Sequence, residues 1–239
     1  METVDPKALA AARWFGYGRW EAPYWFIGKE PGGSDDPEQY ASWLRLGGTE
    51  LIDCREHDAD CAAGETGLWH GPEPGPNLQP TWRSLIAMTL AYEGAEAWDE
   101  RKARQYQDER WGRSDGNTAV IELSAIASKS VSKAEVLRLV HLEERISVIR
   151  RHLASSPPKF VVFYGLGADA VHNVPYLDHW RAIAQYDLGV DQPALIGNTV
   201  FVVEKHPTAH GTTTQHWMDL GRRIRALTEA PRSAGRNSK

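Results

Sequence analysis

Three short stretches of the 239-residue chain carry side chains that could do chemistry, a carboxylate in the first, hydroxyls in the second and histidines with hydroxyls in the third. They are Gly28-Lys29-Glu30-Pro31-Gly32-Gly33, Leu123-Ser124-Ala125-Ile126-Ala127-Ser128 and Lys205-His206-Pro207-Thr208-Ala209-His210-Gly211-Thr212-Thr213-Thr214. Proline and glycine make the first a tight turn, and Glu30 is its only carboxylate. A carboxylate opposite a histidine suits hydrolysis, because one orients water while the other steadies a departing anion. Taken singly, Glu30 beside Lys29 also reads as a solvated ion pair, and His206 before a proline as a plain strand end. What separates them from that bland reading is their common position just after apolar runs.

Two other sets have chemistry-bearing spacing. Cys54, His57 and Cys61 present three zinc-type ligands, with His70 as a candidate fourth; an acidic loop with two incidental cysteines is the alternative, and no metal is expected. Gly165-Leu166-Gly167-Ala168-Asp169-Ala170 has the G-x-G-x-x-A form of a dinucleotide-binding turn. Against it, Pro175 follows early, and no strand ending in an acid appears about 20 residues on. Small residues there serve tight strand-to-helix packing equally well.

The elements that must position these residues are legible as short continuous apolar runs, the mark of strands buried on both faces. They cover 23–28, 118–123, 160–165 and 199–204. Helical periodicity lies between and after them, at Trp82 to Tyr92, at Lys133 to Leu153 (Val136, Val140, Ile146, Ile149 and Leu153 on one face) and from Thr214 to Leu227. Residues 95–117 suggest a charged surface helix ending near Gly112, whereas 31–80 read as a long loop without pattern. Strands alternating with helices predict an α/β fold, three-layer α/β/α with a central four-stranded parallel sheet. A single domain over residues 1–230 is expected, followed by a basic disordered tail at 231–239.

Composition narrows the function classes. The net charge of −5 excludes a wholesale basic coat for nucleic acid but leaves room for a local basic cleft. No apolar run reaches the roughly 18 residues of a membrane span, and the N-terminus lacks signal-peptide features. Two cysteines supply neither a disulfide framework nor the thiolates of an iron–sulfur cluster, so a cytoplasmic setting is expected. Ten tryptophans are an excess; most fill a core, but such faces also gather where something flat is held.

With these residues in place the chain resembles the uracil-DNA glycosylase superfamily. Gly28-Lys29-Glu30-Pro31-Gly32 looks like that family's turn after the first strand, and His206-Pro207-Thr208 like its motif after the last. Gly67-Leu68-Trp69-His70 with Gln79 to Leu85, and Gln215 to Leu220, are weaker echoes, so the likeness spans about residues 23–227. It implies a monofunctional DNA glycosylase of base excision repair that hydrolyses the N-glycosidic bond of flipped-out uracil or a related base. Glu30 and His206 would be catalytic, Glu30 addressing water and His206 steadying the departing base anion. Gly28 and Lys29 would line the base site, Trp69 or His70 would stack on the base, and Ser124 or Glu122 would read its edge.

Departures from the family pattern bear on specificity. Glu30 stands where Asp or Asn is usual, and Gly32 where the most uracil-specific members carry a tyrosine that excludes thymine's methyl. A serine at 124 cannot make the paired contacts of an asparagine. His210 stands where a leucine often wedges into the duplex. DNA would be held by Lys205, Thr208, His210, Gly211, Thr212 and Thr213 at a helix start, with Lys29, Lys129 and Lys133 on the rim. No lysine is placed as a Schiff-base nucleophile, so strand cleavage is not expected. No cofactor is expected, and the partner is uracil-containing DNA bound by a monomer. The competing readings are a non-catalytic binder of such DNA, an enzyme acting on a free nucleoside, and a nucleotide-binding protein using Gly165 to Ala170.

Overall fold

The computed structural model describes residues 5–31, 36–62, 69–70, 77–126, 141–166 and 170–230. In chain order the described elements are α1 (Pro6–Arg13), β1 (Gly16–Tyr17), β2 (Tyr24–Gly28), α2 (Pro37–Arg45), β3 (Leu51–Ile52), α3 (Cys54–Cys61), α4 (Pro80–Tyr92), α5 (Glu100–Glu109), β4 (Thr118–Glu122), α6 (Leu142–Ser155), β5 (Phe160–Leu166), α7 (Ala170–Ala184), β6 (Ala194–Ile196), β7 (Thr199–Lys205) and α8 (Thr214–Glu229). One mixed sheet runs in the order β3-β1-β4-β2-β5-β7-β6.

The four apolar runs form its centre, β4-β2-β5-β7, all parallel. Because side chains alternate across a strand, each run feeds two cores. Trp25, Ile27, Ala119, Ile121, Val161, Phe163, Phe201 and Val203 face Ile149 of α6 and Trp180 and Ile183 of α7. Tyr24, Phe26, Val120, Phe160, Val162, Val200 and Val202 face Leu85, Ile86 and Met88 of α4 and Trp217, Leu220 and Ile224 of α8. Helices therefore cover both faces, as the apolar runs predict.

Among the described residues the sheet has seven strands, not four. Two-residue β1 pairs antiparallel with β4, β3 pairs with β1, and β6 pairs antiparallel with β7. Strands of two or three residues are too short for a pattern to register in sequence. Residues 31–80 are likewise not patternless, since they hold α2, β3 and α3. Each of these helices has only about two turns, too few repeats for periodicity, but both carry a start signal. The side chain of Asp36 accepts from the Glu38 N–H ahead of Pro37, and that of Asp53 accepts from the N–H groups of Arg55 and Glu56. Helix α5 lies inside the charged stretch as expected, yet buries Ala103, Tyr106 and Gln107 on one side. Of the helix expected at 133–153, residues 133–140 lie outside the described residues, as do Lys129, Lys133, Gly32, the Gly167-to-Asp169 turn and the tail.

Arg145 on α6 is buried and ties this frame together. Its guanidinium donates to the backbone carbonyls of Ala11, Trp14, Glu122 and Leu123 at 2.8–3.1 Å and lies 4.1 Å over the Phe15 ring. A planar fork with five donors can serve several carbonyls at once. Here it pins the end of β4 to the segment before β1. No helix among the described residues is long and apolar enough to cross a membrane.

Candidate active site

In a parallel sheet a crevice opens at the carboxyl edge where the strand order reverses. Here β2 lies between β4 and β5, and the chain crosses from β4 over β2 to reach β5. A cavity of about 340 Å³ occupies that edge, lined by Lys29, Glu30 and Pro31 after β2, Glu122 closing β4, Tyr164 and Gly165 in β5, His206 after β7, and Gln79, Thr81 and Trp82 at the start of α4. A larger, shallower groove of about 660 Å³ lies elsewhere, around Trp20 and Glu50. It holds neither Glu30 nor His206, and within it Arg151 lies 3.7 Å from Glu50.

Glu30 and His206, distant in sequence, thus wall one cavity. His206 continues the sheet through its N–H to the Leu166 carbonyl at 2.9 Å. Its Nδ1 takes the Thr208 backbone N–H at 3.2 Å and lies 2.9 Å from the Thr208 hydroxyl. A backbone N–H only donates, so Nδ1 accepts and the neutral ring carries its proton on Nε2. Burial, with a smaller contribution from the Lys29 cation, pulls this histidine below its ordinary value. Lys29 is itself lowered by burial, against the pull of Glu30, and its ammonium rests 4.2 Å from the Tyr176 ring centre.

Glu122 is a strongly perturbed acid of the site. Burial, which outweighs the hydrogen bond from Tyr164, lifts its carboxyl to about 8, and the neighbouring Glu30 adds to the rise. The Tyr164 hydroxyl donates to Oε1 at 3.2 Å; Oε2 is buried without a hydrogen-bond partner among the described residues. Gly28 makes room for this carboxyl, since a Cβ there would lie 2.4 Å from Oε2 and 2.7 Å from the Tyr164 hydroxyl.

Several of the other expected site residues lie outside the cavity lining. Trp82, not Trp69 or His70, supplies the indole of the cavity wall. The His70 side chain is buried with Nδ1 3.1 Å from Asp58, and Trp69 and His70 pack at 6.4 and 6.0 Å from the Trp82 ring. Ser124 turns away from the cavity, its Oγ accepting from the Ile126 N–H at 3.1 Å, which leaves Glu122 as the group from β4. Lys205, Thr208, His210 and Gly211 are exposed along the loop from β7 to α8. The hydroxyls expected there for phosphate are committed to the loop. That of Thr212 donates to the carbonyls of Pro207 and Ala209, and that of Thr213 caps α8 by accepting from His216.

No motif marks Tyr164 or Trp82 as a site residue in the sequence. Tyr164 shares the parity of Phe160 and Val162, hence the face of Glu122, while Trp82 follows Gln79-Pro80, a helix start whose N-cap side chain accepts from the Trp82 N–H at 2.7 Å. The Cys54, His57 and Cys61 set does not open as a zinc site. The His57 ring nitrogens engage the Tyr17 hydroxyl at 3.0 Å and the Gln39 carbonyl at 3.1 Å, and no group of three ligating side chains converges among the described residues. Comparison of the sequence with protein-family models and with curated proteins gives no match in either.

Proposed function

We propose that the protein is a monofunctional DNA glycosylase that hydrolyses the N-glycosidic bond of uracil, or a related deaminated or damaged base, flipped out of DNA. The observation that carries this reading is the meeting of Glu30 and His206 in one cavity at the carboxyl edge of the parallel strands. The flipped base enters between Trp82 and the wall of Glu122 and Tyr164. His206 presents Nε2–H to a carbonyl of the base and strengthens that bond as negative charge moves onto the ring. The carboxylate of Glu30 orients the water that attacks the sugar carbon. The positive end of α4, whose first turn lines the cavity, favours the same anion. No cofactor enters this scheme. Lys205, Thr208, His210 and Gly211, exposed on either side of His206 in the chain, are offered to the DNA backbone, and Lys29 adds positive charge at the rim.

The test is release of uracil from single- and double-stranded oligonucleotides. Glu30→Gln is expected to slow release by about 10²–10⁴-fold and His206→Ala by about 10²–10³-fold. Absence of release by the unaltered protein overturns the reading. If such DNA is then bound tightly and with strong salt dependence, a binding protein is the better description.

A further inference from the structure

Glu122 sits where the proposed base must lie, yet the scheme above asks nothing of its proton. Its two oxygens are not equivalent. Oε1 accepts the Tyr164 hydroxyl, and Oε2 is buried with no hydrogen-bond partner among the described residues, on a side chain that lines the cavity. Of the charges facing it, Arg145 favours a carboxylate there, but by less than burial opposes one. Glu30, after β2, is a like charge in the same cavity. Arg145 on α6 spends its donors on backbone carbonyls, that of Glu122 included, and is paired with no carboxylate oxygen of Glu122. The Tyr17 hydroxyl on β1 is neutral and bonded to His57, His206 is neutral at Nδ1, and the Lys29 ammonium lies over Tyr176. Two carboxyl groups sharing a buried cavity cannot both ionise cheaply, so one keeps its proton.

We infer that Glu122 acts as a neutral carboxylic acid whose Oε2–H donates into the cavity, and that with the Nε2–H of His206 it selects a base bearing two carbonyls over one that offers an amino group. This rests on the glycosylase reading and deepens it. Uracil offers two carbonyl acceptors to two donors. Cytosine places an amino donor where one of them should be, leaving two buried donors facing each other, and unpaired polar groups of this kind are what give hydrogen-bonding sites their selectivity. Above the point where Glu122 ionises, Oε2 becomes an acceptor, and the preference shifts toward the amino-bearing base.

Two measurements test this. The first is the infrared difference spectrum between the protein and Glu122→Gln at pH 6.5 and at pH 10. A protonated-carboxyl band present at the lower pH, absent at the higher and missing in the variant is expected; a carboxylate at pH 6.5 overturns the inference whatever the substrate. The second keeps Glu30 in place and reads by fluorescence anisotropy the affinity of the unaltered protein for oligonucleotides carrying one 2′-fluorinated uridine or cytidine, whose glycosidic bond resists cleavage. A uracil preference of about tenfold or more at pH 6.5 is expected. It should shrink across pH 8 and become pH-independent in Glu122→Gln. A preference that ignores pH, or one that survives this substitution with its pH dependence, overturns the role of Glu122. If the carboxyl band is present but neither oligonucleotide is bound, it is the glycosylase reading that has failed, and the base selection falls with it.

Discussion

Replacing Gly28 by alanine tests how tightly the site is built, through one methyl group. The new Cβ would stand 2.4 Å from Glu122 Oε2, 2.7 Å from the Tyr164 hydroxyl and 2.8 Å from its ring carbon. To reach ordinary contact the carboxyl has to retreat by about 1 Å, and the tyrosine, held in a strand and packed in the core, cannot swing clear. Overpacking of this kind costs about 1–3 kcal/mol, which for a chain of this size lowers Tm by roughly 2–12 °C. Displacing a site group by about 1 Å costs on the order of 10²-fold in rate, so uracil release should fall far more than stability. Calorimetry and single-turnover release measure the two effects. A double-mutant cycle with Glu122→Ala should show coupling of about 0.5–3 kcal/mol, because removing the carboxyl removes the nearest clash. If Gly28→Ala melts and cleaves like the unaltered protein, or if the two substitutions are simply additive, then Gly28 does not hold the place of the Glu122 carboxyl and the geometry argued for the site is wrong.

Other predictions concern the frame. The folded-state value of Glu122, about 8 because of burial and then Glu30, lies above its ordinary 4.5. Its contribution to stability is therefore complete below pH 4.5 and lost as pH rises toward 8. The urea midpoint of Glu122→Gln should gain on that of the unaltered protein across this window; a constant difference would show that the carboxyl keeps its ordinary value. Asp53 behaves in the opposite sense. Burial would raise it, but the Arg113 and Ser114 donors hold it below its ordinary 3.8, so its stabilisation is present at neutral pH and lost in acid. Asp53→Ala removes a helix cap and the partner of Arg113, and should cost about 3–5 kcal/mol in urea unfolding at pH 7; a loss below about 1 kcal/mol would show the pair to be worth no more than a surface one. Arg145→Leu strands carbonyls of Ala11, Trp14, Glu122 and Leu123. At about 1–3 kcal/mol for each group left unpaired, soluble protein should be scarce or melt far lower, and a near-normal Tm would refute the pinning of β4 by Arg145.

How much of this was legible in the sequence follows from the range over which each interaction acts. The four central strands could be read because burial on both faces demands an unbroken apolar run, a local property. The terminal helix could be read because Trp217, Leu220 and Ile224 repeat on one side, and the turn after β2 because glycine and proline mark it directly. Glu30 and His206 could be singled out as chemistry at strand ends. The edge strands β1, β3 and β6 could not, for two or three residues carry no period and form only because a neighbour offers a free edge. Nor could the choice of Trp82 over Trp69 and His70, or of Glu122 over Ser124. In sequence Trp69, His70, Ser124 and Glu122 are candidates of suitable type at suitable spacing while Trp82 is one of ten tryptophans, and which of them reach the cavity depends on the direction in which each side chain leaves its element.

The amino-acid sequence by itself determined the fold class and where along the chain acid–base residues follow strands, since strand and helix patterns are set by neighbours a few residues away. Only the tertiary structure decided that Glu30, Glu122, Tyr164, Trp82 and His206 share one cavity, and that the carboxyl of Glu122 is buried deeply enough to hold its proton. Both depend on the order in which strands pair and on what excludes water from the space between them, and neither is encoded in any single stretch of the chain.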